Sequence, residues 1–321
     1  MKLVLLTFGG RESSLKFLFH YISKFKKYIH EYRLYVATVI QSDIDYMENY
    51  AKENSDIVRT IYLKINGEQM KEQCQKEAIW NMAYEDSQEE DTVYLKLDDD
   101  IVYLEETLFT DFIQARINHP DPPLMFPLIV NNSFSSWLLQ KKNIIKSFYP
   151  NHYGDNWPNV YHRIKPYIVE HKPTPQNPEK IQIGNLVRDH EILCPIGWGN
   201  LGYCIEIHNQ FIENILSSSV SKFTSENYWG EGGRGFYELK NSEPMSINVC
   251  AWLGNSLKKY TETYGAVYAD ENWWTIYLPT WTNINNQIYT KTIVSHYAFY
   301  RQRELGLDHT DILDKYWKLC V

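Results

Sequence analysis

Asp98-Asp99-Asp100 stands between two apolar extended runs, Thr92 to Leu97 and Ile101-Val102-Tyr103. Three adjacent carboxylates repel one another, and burying them without partners is costly. A divalent cation relieves that cost, because Mg²⁺ and Mn²⁺ take hard oxygen ligands. In an extended segment alternate residues point the same way, so Asp98 and Asp100 share one side and Asp99 points elsewhere. The chemistry expected of the triplet is metal binding. The competing reading is an acidic surface turn, which does not ordinarily sit between two strongly apolar strands.

The elements that must position the triplet read as alternating strands and helices. Lys2 to Thr7 forms a short apolar strand, and Phe8-Gly9-Gly10-Arg11 reads as its closing turn. Leu15, Leu18, Ile22, Phe25 and Ile29 then recur at helical spacing. Leu34 to Ile40 is a second strand closed by Gln41-Ser42-Asp43, and Ile44 to Lys52 a short helix. Ile57 to Leu63 is a third strand, and Met70 to Met82 carries a helical stripe. The acidic run Glu85 to Asp91 reads as a solvated loop. Thr92 to Leu97 is a fourth strand, Leu108 to Ile117 a helix, and Leu124 to Val130 a fifth strand after a proline-rich breaker. This alternation predicts βαβ units in a mostly parallel sheet. The carboxyl ends of such strands are where open α/β sheets bind ligands, and the triplet lies at one of them.

From 131 to about 195 the regularity fades among prolines and aromatic landmarks such as Trp137 and Trp157, as expected of binding loops. Gly230 to Gly235 holds a GxGxxG string, but no strand of a βαβ unit precedes it, so it is not a dinucleotide fingerprint. The expected organisation is one continuous domain: an α/β half over 1–130, an irregular region over 131–245, and a completing part over 246–321.

The chain of 321 residues carries a net charge of −8, which lacks the basic field of a nonspecific nucleic-acid binder. Its five cysteines are scattered without a CxxC pair, as in a reducing compartment. No apolar stretch approaches the ~18 residues of a membrane span. A soluble, cytoplasmic protein is expected. The 25 tyrosines and 10 tryptophans suit either a carbohydrate-handling cleft or an aromatic core.

YLKLDDDIVYL resembles the DxD segment of GT-A glycosyltransferases, several families of which carry DDD followed by β-branched residues. The likeness covers about residues 1–130 by element order. It implies a GT-A-like, Rossmann-like α/β fold with helices flanking the sheet, and an irregular acceptor-side insertion. It also implies a nucleotide-sugar donor, a UDP-sugar foremost, held with Mn²⁺ or Mg²⁺. The first βα turn, Thr7, Phe8, Gly9 and Arg11, would then meet the nucleotide, with Gly9 letting the backbone approach it. Asp43 would meet the base, and Asp98 and Asp99 would serve the donor. Blocks further on, Ser246-Ile247-Asn248, Trp252-Leu253-Gly254, Ala269 to Trp274 and Ser295 to Arg303, resemble segments of little-characterised bacterial and viral GT-A-like proteins. By that resemblance Asp270 or Glu271 is the catalytic base and His296 completes the metal shell of Asp98 and Asp100. Arg301 or Arg303 would stabilise the departing diphosphate. Asp270-Glu271 reverses the family's usual Glu-Asp order.

The acceptor is left open between a glycan, a protein, a small molecule and a modified DNA base, the last disfavoured by acidity. Two alternatives remain. A nucleotidyltransferase acting on sugar phosphates would carry a basic glycine-rich turn near the N-terminus, where Arg11 is the only basic residue. A non-catalytic, metal-dependent carbohydrate-binding protein would need no nucleotide-binding turn.

Overall fold

In a computed structural model the chain is described over residues 1–62, 76–145, 201–225, 245–267 and 270–320. Short stretches at 64–65, 68–69, 168–169, 181–182, 229 and 235–239 are described as well. The strands are β1 (Lys2–Gly9), β2 (Glu31–Val36), β3 (Val58–Ile61), β4 (Thr92–Leu97), β5 (Ile101–Tyr103), β6 (Met125–Val130), β7 (Phe236–Glu238), β8 (Val249–Leu253) and β9 (Gln287–His296). They form one sheet in the order β7-β9-β6-β8-β4-β1-β2-β3, with β5 added to β9. β1, β2, β3, β4, β6 and β9 run one way, while β5, β7 and β8 oppose them. The sheet is therefore mixed but mostly parallel. β8 and β9, from the last quarter of the chain, build the half that begins with β4.

Helices flank this sheet: α1 (Glu12–Phe25), α2 (Gln41–Glu53), α3 (Lys76–Glu85), α4 (Asp111–Asn118), α5 (Ser133–Lys141), α6 (Leu201–Leu216) and α7 (Gly254–Tyr264). α8 starts at Asp270–Asn272, passes through a π-helical Trp273–Tyr277 and ends at Leu278–Thr282. α9 (Tyr300–Glu304) and α10 (Ile312–Cys320) close the chain. The apolar stripe of α1 buries Leu15, Leu18 and Ile22 completely, and all six residues of β4 are buried, as a strand covered on both faces requires.

Several boundaries differ from the sequence reading. β1 continues through Phe8 and Gly9, leaving only Gly10 and Arg11 as the turn. Asp43 lies in the first turn of α2 rather than in a loop. Ile29 falls beyond α1, whose end tightens into a 3₁₀ turn over Lys26–Tyr28. The stretch after 130 opens with α5, because Asn132 Oδ1 accepts the Phe134 and Ser135 amides at 3.2 Å and caps it. α6 was not foreseen, although it buries Tyr203, Cys204, Ile207 and Phe211 on one face. Trp157, the prolines from 150 to 178, Gly197 to Asn200, Gly230 to Arg234 and the start of the predicted 70–82 helix lie outside the described residues.

The aromatic content goes mainly to the core. Trp252, Trp273 and Trp274 are buried, and Tyr84, Trp252 and Trp274 pack with ring centroids 5.5–5.7 Å apart. Gly254 is demanded by packing, since a Cβ there would stand 2.1 Å from the Glu89 carbonyl oxygen.

Candidate metal and anion site

The register of the sheet assembles the site from residues at or next to strand ends. Leu6 pairs with Lys96, so continuing that register places the turn after β1 beside Asp99 and Asp100. Val249 pairs with Leu97, which brings Asn248 to Asp98. Ser295 pairs with Val130 and His296 with Ile101, which sets His296 between Asn131 and Asp100. The Tyr297 amide donates to the Asp100 carbonyl at 2.8 Å and locks this register.

Each aspartate has its own partners. Asp98 is half-buried; its Oδ1 accepts Lys96 Nζ at 2.5 Å and its Oδ2 accepts Asn248 Nδ2 at 3.0 Å. Asp99 Oδ2 accepts the Gly10 amide at 3.0 Å and Arg11 Nε at 3.2 Å, and Oδ1 accepts Arg11 Nη2. Asp100 Oδ2 accepts Arg303 Nη2 at 3.1 Å and Arg11 Nη2 at 3.3 Å, while Oδ1 lies 3.2 Å from His296 Nε2. Burial alone would raise the Asp100 carboxyl, but His296, Arg11 and Arg303 outweigh it and hold the group well below the usual carboxylate range. Burial likewise opposes charge on Arg11, yet Asp100 and Asp99 push its guanidinium further above its ordinary value.

Repulsion within the triplet therefore does not by itself call for an ion: Lys96, Arg11 and Arg303 already neutralise it. The case for a metal rests on geometry. One ligand atom each from Asp98, Asp100 and His296 lies within 4.8 Å of the others. His296 Nδ1 faces the Asn131 carbonyl oxygen at 3.4 Å, a group that can only accept, which assigns the hydrogen to Nδ1. Nε2, 3.2 Å from Asp100 Oδ1, then either carries a second hydrogen and pairs with that carboxylate or presents a lone pair to an ion. A cation at that point, a proton or a metal ion, reconciles the two acceptors. Two carboxylates and one imidazole suit a borderline or hard divalent ion, so the residues fit Mn²⁺ or Mg²⁺.

The other predicted residues divide. Arg303 belongs to the cluster and also reaches Asp308 Oδ1 at 2.9 Å; Arg301 is exposed and pairs with Glu304. Arg11 and Asp43 line an open cleft of about 480 Å³ with Glu12, Ser13 and Lys16. Asp43 Oδ1 accepts the Glu12 amide at 3.0 Å, which caps α1. Thr7 is fully buried in the sheet, and Phe8 is half-buried against Tyr35 and Trp80. Gly9 is needed for packing and not for ligand approach, because a Cβ there would meet Met47 Sδ at 2.5 Å. Asp99 holds the turn instead of pointing outward.

Glu271 stands apart from this cluster. It lies one helical turn before Trp274, whose carbonyl accepts Asn286 Nδ2 at 3.0 Å, and Asn286 Oδ1 accepts the Leu124 amide. Those bonds tie α8 to the N-terminal edge of the parallel strands, the edge opposite the triplet. Of Asp270 only the backbone is described.

Sequence reasoning missed Lys96, Asn131, Asn248 and Gln302. Asn248 and Gln302 stand inside the blocks quoted above but were given no role of their own; the signal for Asn131 was its place next to a strand end. No family model and no curated protein matches the chain. Among the described residues, no helix is long and apolar enough to cross a membrane.

Proposed function

We propose that the chain is a metal-dependent glycosyltransferase of GT-A type, moving a sugar from a nucleotide-sugar to an acceptor hydroxyl. One observation carries this reading: Asp98, Asp100 and His296 converge at the carboxyl edge of the sheet with Arg303 and Arg11 against them. A metal ion held there supplies positive charge to the diphosphate that leaves when the anomeric bond breaks. Arg303 is a preorganised donor facing the same position, in a setting dry enough to strengthen its field. Lys96 and Asn248 orient Asp98, and Asp99 keeps Arg11 beside the cleft in which a nucleoside would lie. The proposal assigns the base to neither Asp270 nor Glu271, because α8 is fixed to the far edge of the sheet.

The test is binding of UDP, GDP and CMP with and without Mn²⁺, followed by donor hydrolysis across nucleotide-sugars beside Asp100→Asn. Mn²⁺-dependent nucleotide binding and slow donor hydrolysis, both lost in Asp100→Asn, are expected. Absence of nucleotide binding under both conditions would overturn the transferase reading. Transfer of nucleotidyl groups onto sugar phosphates would move the assignment to a nucleotidyltransferase.

A further inference from the structure

Behind His296 lies a buried amide pair that the transferase chemistry does not touch. Asn131 Nδ2 donates to Gln302 Oε1 at 2.9 Å, and Gln302 Nε2 returns a bond to Asn131 Oδ1 at 3.0 Å. Asn131 Nδ2 also donates to the Tyr297 carbonyl at 2.7 Å, and the Phe299 amide donates to Gln302 Oε1 at 2.9 Å. Both side chains are at most 1% exposed. Asn131 has φ of +58°, a left-handed conformation that Asn adopts more readily than most L-residues. That conformation aims the Asn131 carbonyl at His296 Nδ1.

We infer that Asn131 and Gln302 form a clasp that sets the tautomer and ring orientation of His296, keeping Nε2 as the metal-facing lone pair. The inference rests on the metal site proposed above. Its logic is that of an outer partner to a metal-bound histidine, where the hydrogen bond at one ring nitrogen decides what the other can do. The clasp joins three segments: the end of β6 through Asn131, the residue after β9 through Tyr297, and α9 through Gln302. Phe299, whose ring centroid lies 4.9 Å from that of His296, closes the ring's other side. Asn131 and Gln302 are positioning residues, since neither contacts the ion position.

Two readouts test this on the full chain, neither of them turnover. Mn²⁺ affinity is measured by electron paramagnetic resonance, and the tautomer of His296 by ¹⁵N-histidine NMR of the metal-free protein at a pH where its ring is neutral. Gln302→Ala is expected to weaken Mn²⁺ binding by roughly 10- to 100-fold and to leave His296 in a mixture of tautomers. Asn131→Gly keeps the carbonyl and the positive φ, and it is expected to lose less. Gln302→Met, which preserves length without polar atoms, carries the test if Gln302→Ala does not fold. Wild-type Mn²⁺ affinity and an unchanged Nδ1–H tautomer in the Gln302 variants would overturn the clasp. Absence of Mn²⁺ binding by the wild type would overturn the metal site instead, and the tautomer measurement would still decide the clasp.

Discussion

Asp99 Oδ2 accepts the Gly10 amide at 3.0 Å, tying the turn after β1 to the end of β4 across 89 residues of chain. The same oxygen accepts Arg11 Nε, so the middle aspartate of the triplet is a fastener. Asp98 and Asp100 on either side of it, and not Asp99, converge with His296.

This division predicts different outcomes for neighbouring substitutions. Asp99→Ala removes acceptors for the Gly10 amide and for a guanidinium that is 42% exposed, so the ion-pair contribution is partly screened. A loss of about 2 kcal/mol is expected from the charge-assisted hydrogen bonds, read by urea unfolding, with Mn²⁺ affinity little changed. Asp100→Asn should do the reverse, abolishing Mn²⁺ binding while a cooperative unfolding transition remains. Asp99→Ala with unaltered stability and lost metal binding would exchange the two roles.

Arg301 and Arg303 offer a second contrast on one short helix. Arg303→Ala removes a donor from Asp100 and is expected to lower donor turnover on the order of 10²-fold. Arg301→Ala removes an exposed pair with Glu304 and should leave turnover near wild type. The check is donor hydrolysis at saturating Mn²⁺ for both variants. Equal losses would show that α9 acts as a whole and not through Arg303.

Packing at the first turn gives a third. Gly9→Ala would press a methyl group onto Met47 Sδ at 2.5 Å and Leu34 Cδ1 at 3.0 Å. Because the nearer atom belongs to a flexible side chain, the expected cost is about 1 kcal/mol, the low end for overpacking. Combining it with Met47→Ala should cost less than the sum of the two single changes, since the cavity accepts the added methyl. Additive losses in thermal or urea unfolding would place the strain elsewhere.

Much of this fold is legible in the sequence. Thr92–Leu97 matches the observed strand because six successive buried positions leave no other element so short and apolar. The triplet's division into Asp98 with Asp100 against Asp99 was also legible, although a turn produces it where an extended segment was expected: the Ile101 amide bonds back to the Asp98 carbonyl. Of the neutralising partners, Arg11 and Arg303 were named from the sequence as donor-facing residues, and Lys96 was not. Lys96 drew no notice inside the apolar run Thr92 to Leu97, and its burial beside Asp98 depends on β8, which arrives about 150 residues later. The same long-range dependence hid Asn131 and Gln302, which meet across 171 residues. The end of β1 was misread because Gly9 signals a turn locally, while its small size is required by Met47 of α2.

A last prediction concerns His208, which is fully buried behind the site. Its Nε2 faces the Tyr297 carbonyl at 2.8 Å and must carry the hydrogen, leaving Nδ1 to accept from Tyr316 Oη at 2.8 Å. Burial disfavours the imidazolium and lowers His208 to about 4, against a smaller opposing pull from the Tyr297 carbonyl. The unfolded chain takes up this proton near pH 6.5, whereas the folded chain refuses it until about pH 4. Unfolding therefore binds a proton between those values, and stability falls as pH drops through that window, by on the order of 3 kcal/mol in full. His208→Gln keeps polar atoms at the site but cannot titrate. Urea unfolding from pH 7 to pH 4 should show a shallower decline in this variant than in wild type. Parallel curves would mean that other groups carry the acid sensitivity and that His208 is silent in it.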